Sequence, residues 1–169
     1  MSLRVGRRAL LSATLFSGLL WRYDVWAGVM ATGGPEGDRL EAFSPWLDTL
    51  IPADETPSAT ALGVDRAILA WARDQPRAMS LLEDGCGWLD AVVRHNGASS
   101  FKLIPDVARE AIVRVAAVAE APSLPRVFFD RTWDLAIYFY YADPAAWAAL
   151  GYAGPPQPVG FPDADHAPA

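Results

Sequence analysis

The chain is poor in the side chains that do most chemistry: in 169 residues it has one cysteine, Cys86, one lysine, Lys102, and two histidines, His95 and His166. A lone cysteine closes no intrachain disulfide and builds no cysteine-based zinc site. With two histidines, bases are scarce. His95 falls in the helix-terminating stretch "RHNG", where an imidazole suits the last carbonyls, and His166 lies in the terminal segment. Positive charge is short as well: 14 basic residues face 20 acidic ones, a net charge of −6. Without the first 31 residues, and so without Arg4, Arg7, Arg8, Arg22 and Asp24, that becomes −9. Such a body is ill-suited to gripping phosphate backbones, so nucleic acid is excluded as a partner. The apolar run from Ala9 to Leu20 has twelve residues, against the roughly 20 a membrane-spanning helix needs. "ATGGPEG" follows no strand and so makes no phosphate loop, and no haem-attachment motif occurs. The acidic pairs Asp54-Glu55 and Glu83-Asp84 are sequence neighbours that do not converge on one ion, so they read as solvated.

What is present begins with an address. Arg4, Arg7 and Arg8 precede the short apolar run, and Val29 and Ala31 supply small residues for cleavage after Ala31. This layout predicts an export signal over 1–31, with Arg7 and Arg8 as the pair of a twin-arginine signal, read by a receptor that passes folded cargo. The competing reading is an amphipathic helix that stays on the protein.

The body, 38–150, is predicted all-α: a small bundle of about five to six helices. Leu40, Phe43, Leu47, Leu50 and Ile51 recur at helical spacing from Asp38 until Pro52. "ADETPSATALG" is a loop, and a helix over Val64 to Asp74 carries Val64, Ile68 and Trp71 on one side. Pro76 opens a helix that ends at "HNG", with Gly85-Cys86-Gly87 kinking or splitting it. Pro105 takes the first helical position of the next, whose stripe is Val107, Ala108, Ala111, Ile112, Val115 and Ala119. The last long helix, opened by Pro125, is apolar all round from Leu135 to Tyr141 and is therefore expected to be buried on every side. Either a second protein or the chain's own tail would supply the cover.

That tail, 151–169, starts "GYAGPPQPVGFPD", with four prolines and three glycines in thirteen residues, and is extended rather than helical. Stiff proline-rich segments lose little entropy on ordering, which suits a clamp across a partner.

"LDTLIPADETPSATALGVDRAI", "SSFKLIPDVAREAIV" and above all "DPAAWAALGYAGPPQP" resemble the small, or gamma, subunit of the gluconate 2-dehydrogenase family, subunit 3 type. The resemblance implies a non-catalytic partner of a large flavoprotein of the glucose-methanol-choline type, with FAD in that subunit and none here. It also implies haem in a possible cytochrome c partner, export of the folded flavoprotein complex to the periplasm, and membrane association only through the complex. One departure is Ile104, where the family tends to have Ser or Thr, which loses a side-chain cap.

The residues expected at the partner interface are Pro52, Asp54 and Pro57 from the first loop, Phe139 and Tyr141 from the last helix, and Trp147, Gly151, Tyr152, Pro155, Pro156 and Phe161 from the tail. Packing within the monomer is the alternative for each. Two other functions compete: an exported module that binds a hydrophobic small molecule between the aromatic helix and the tail, and a thiol enzyme using Cys86 with His95.

Overall fold

Proline and glycine set the helix ends, and aromatic side chains decide how the helices meet. The computed structural model describes residues 39–147 and 150–152. The Arg7-Arg8 pair, Pro155, Pro156 and Phe161 lie outside them. Among the described residues five α-helices follow in order: α1 (Phe43–Leu50), α2 (Val64–Ala72), α3 (Pro76–His95), α4 (Asp106–Val118) and α5 (Leu124–Tyr140). Short 3-10 turns stand at Phe101–Leu103 and Pro144–Ala146, and there is no strand among the described residues. The fold is all-α.

Helix α5 is the hub, packing against each of the other four. Its Phe128 ring lies over Trp46 of α1, centroids 5.1 Å apart, and Trp46 in turn meets Phe101 at 6.3 Å. Thr132 is fully buried yet satisfied: its Oγ1 accepts from Trp46 Nε1 at 2.9 Å and donates to the Phe128 carbonyl at 2.7 Å. Most buried polar groups have such partners. At the start of α5, Arg126 pairs with Asp130 and also donates to the Ala117 carbonyl, tying α4 to α5. One turn on, the Arg131 guanidinium sits 5.2 Å from the Trp71 ring centre of α2, a cation–π contact.

The glycine interruption neither kinks α3 into two elements nor splits it: the helix runs unbroken for 20 residues. Gly85 is there because a β-carbon at that position would stand 2.1 Å from Phe128 Cδ2, so α3 and α5 approach as closely as a bare backbone allows. Gly87 has open space around it. Only one of the two glycines is demanded by packing.

Three expectations need correction. Helix α1 starts at Phe43 rather than Asp38, because residues 39–42 form a turn closed by Phe43 N–H on the Leu40 carbonyl. Pro105 stands just before α4 in an extended conformation (ψ 152°) and Asp106 opens the helix. The buried stripe of α4 is then Ile112 and Ala116, with Ala108 and Val113 packed beside them, while Val107 is 70% exposed. At 3.6 residues per turn Val107 lies roughly 140° round the helix from Ile112.

In α5 the other helices cover one face, which leaves the second face for the cover that the sequence calls for. Leu135, Ala136 and Tyr140 are buried, but Tyr138 is 71% exposed and Tyr141 42%. Among the described residues, four helices gathered on one side of α5 leave its opposite side uncovered.

Candidate functional site

The uncovered side of α5 ends in a corner built by two loops. After Tyr140 the chain turns at Asp143, whose Oδ1 accepts from Ala145 N–H at 2.9 Å, and Pro144 begins a 3-10 turn. Trp147 then swings back, its indole N–H donating to the Tyr141 carbonyl at 2.9 Å. That bond satisfies an acceptor at the helix end that α5 itself leaves open. Gly151, at φ 64°, supplies the left-handed residue needed to fold the chain onto Trp147. Tyr152 follows, with its ring 5.3 Å from Trp147 at 68° and its N–H on the Trp147 carbonyl.

The second loop joins α1 to α2. Asp48 accepts from both the N–H and the hydroxyl of Thr60, and Ala59 N–H closes on the Ile51 carbonyl. Within it Asp54 accepts from the Thr56 N–H and hydroxyl, bonds that hold its carboxyl below the usual carboxylate range. The Tyr140 hydroxyl donates to the Pro57 carbonyl at 2.8 Å, docking this loop on the end of α5.

Pro57, Tyr141, Trp147, Gly151 and Tyr152 are thus brought to one end of the molecule, with Pro52 and Asp54 exposed on the docked loop. Two of the expected residues also pack inward. Phe139 is half-buried and packs against the core, as does Trp147, whose edge supports Tyr152. A further exposed residue, not among those expected, is Tyr138, whose ring meets Phe139 edge-on at 5.2 Å and is the most exposed aromatic of α5. A signal for it exists in the sequence. Val127, Arg131 and Asp134 mark the solvent row of α5, and continuing that row at helical spacing reaches Tyr138 and Tyr141.

Other candidates do not assemble. Cys86 is fully buried. Burial pushes its thiol pKa well up, and the nearby charges of Asp90 and Glu83 push it further. His95 is exposed at the far end of the same helix, nine residues on, or about 13 Å along the axis. The two cannot share a proton. A shallow cleft of about 420 Å³ opens between α1 and α4, lined by Ser44, Pro45, Asp48, Thr60, Lys102 and Arg109. Asp48 is engaged there by Thr60, and Arg109 by Asp106 and the Lys102 carbonyl, with the Arg109 Nε buried and without a hydrogen-bond partner. Among the described residues no three metal-ligating side chains cluster, and no helix is long and apolar enough to cross a membrane.

Comparison with curated proteins and with solved structures finds no match. The pattern of one family, described as Gluconate 2-dehydrogenase subunit 3, matches residues 40–155. That span takes in all five helices, the loop between α1 and α2, and the turn that brings Trp147 and Tyr152 back onto α5. The chain belongs to the gluconate 2-dehydrogenase subunit 3 family.

Proposed function

We propose that this chain is the non-catalytic accessory subunit of a periplasmic, flavin-dependent sugar or sugar-acid dehydrogenase, and that the corner at the end of α5 is where the large flavoprotein docks. The observation that carries this reading is the corner itself: Tyr138, Tyr141 and Tyr152 stand exposed on a frame fixed by Tyr140–Pro57 and Trp147–Tyr141 hydrogen bonds. Exposed aromatics on a rigid support are the usual anchors of a protein interface. A subunit of this family needs such a surface for its partner.

In this reading FAD and the substrate belong to the large glucose-methanol-choline-type subunit, and electrons leave through a c-type cytochrome. Arg7 and Arg8 direct export by the twin-arginine route, so the flavoprotein folds, binds this chain and crosses with it. The chain contributes stability and passage rather than chemistry, in keeping with the separation of Cys86 from His95.

The test is affinity purification of the tagged full chain from its host's periplasm, followed by absorption spectroscopy. A larger, flavin-absorbing partner in fixed ratio is the expected result. A colourless, solitary 18.3 kDa protein would overturn the proposal.

A further inference from the structure

The exposed row of α5 changes character along its length. Near the start it carries the Arg126–Asp130 pair and Arg131, which is held over Trp71. Past that point Asp134, Tyr138 and Tyr141 follow at intervals of four and three, so they share one side of the helix. Asp143 lies in the turn just beyond. Among the described residues neither Asp134 nor Asp143 is in an ion pair. From residue 134 to 152 the sequence holds no basic residue, so the two exposed tyrosines have a carboxylate before them and another beyond.

We infer that this acid-rimmed tyrosine face, centred on Tyr138 with Asp134 and Asp143 at its edge, seats in an apolar recess flanked by arginine or lysine on the flavin-bearing subunit. The inference rests on the subunit reading above and goes further, by fixing the chemistry of the partner's surface. Charge complementarity selects that occupant. The carboxylates disfavour a second copy of this face, which would set like charges opposite one another, and disfavour residues 153–169, whose three ionisable groups include Asp163 and Asp165. Rim charges act mainly on the rate of encounter and its salt dependence, whereas a buried aromatic anchor acts on the rate of dissociation.

The experiment is surface binding of the full chain to the purified large flavin-bearing subunit of its host's dehydrogenase, with D134K, D134N and Y138S beside the wild type. Raising salt from about 50 to about 500 mM should weaken wild-type binding about tenfold, since the Debye length then falls below the span of the rim. D134K should slow association about tenfold, D134N less, and Y138S should speed dissociation about tenfold. Both positions are exposed, and circular dichroism checks that each variant is folded.

Wild-type binding that ignores salt and all three substitutions would overturn the acid-rimmed face and leave the subunit reading standing. Failure of the wild type to bind at all would overturn both. A dimer in sedimentation that Y138S abolishes would give the face to a second copy. Tyr138 labelling that rises when residues 153–169 are removed would give it to the chain's own tail. Either result would overturn the inference.

Discussion

The two ends of α5 are made of the same kinds of residue and are used in opposite ways. Toward its start Phe128 and Thr132 are wholly enclosed, the ring against Gly85 and Trp46, the hydroxyl between Trp46 and a backbone carbonyl. At its end Tyr138 and Tyr141 face outward, although the stretch around them is as apolar as any in the chain. The difference is not composition but position around the axis. Neighbouring helices cover one side of α5 along its whole length, and aromatics on the other side are left for something else to cover. Composition alone cannot separate core from interface; angular position on a hub helix can.

Breaking the enclosed end should have the largest consequence. Phe128→Ala is expected to lower stability by about 3–5 kcal/mol, because the ring's contacts with Trp46 and α3 leave a cavity. Chemical denaturation measures it, and a loss under 1 kcal/mol would mean the core does not turn on this ring. Gly85→Ala should cost about 3 kcal/mol, the upper part of the range for overpacking, since a β-carbon 2.1 Å from an enclosed ring has nowhere to go.

Cys86 gives a chemical version of the same contrast. Burial raises its pKa in the folded chain, so the thiol stays neutral there. The sign follows: its contribution to stability is complete below the unfolded thiol's pKa, about 8.5, and declines as pH rises beyond that value. Native protein at pH 8 should resist alkylation by iodoacetamide, and denatured protein should react at once; brisk labelling of the native state would place Cys86 at the surface. Gly87→Ala, one turn from nothing, should reverse the sign seen at Gly85 and stabilise by up to about 1 kcal/mol through helix propensity. A destabilised G87A would show that the glycine pair acts as a unit.

Smallest of all is the expected cost of Tyr138→Ser to the isolated chain, within about 0.5 kcal/mol of wild type, as for other exposed positions. Thermal melting checks it. A large loss would move Tyr138 from interface to core and erase the contrast between the two ends.

Much of this was legible in the sequence. Pro76, Pro125 and the "HNG" stop marked the ends of α3 and the start of α5, and Phe43, Leu47, Val64 and Ile68 fell on the buried faces their spacing predicted. Rotational detail was less so. Periodicity in α4 fits two overlapping stripes, and only the direction of α1 and α5 selects Ile112 and Ala116 over Val107. Contacts between distant residues left no local trace. Trp46 with Thr132 and Tyr140 with Pro57 are more than 80 residues apart, and nothing in either segment names the other. The glycine cluster was ambiguous for the same reason, because the need for Gly85 lies in Phe128. At the candidate site the exposure of the loop, Tyr141 and Tyr152 agrees with the sequence reading, whereas the half-burial of Phe139 and the exposure of Tyr138 follow from helical angle, which the apolar run does not reveal.

The central claim is that the outward side of α5 at its far end is an interface, while the side turned to the other helices is core. Oxidative footprinting of the tryptophan and tyrosine side chains, on the free chain and on its complex with the proposed flavin-bearing partner, tests it most directly. The account predicts that Tyr138, Tyr141 and Tyr152 label readily in the free chain and are shielded in the complex, while Trp46 stays unlabelled in both. Equal labelling of the three tyrosines in the two states would contradict it.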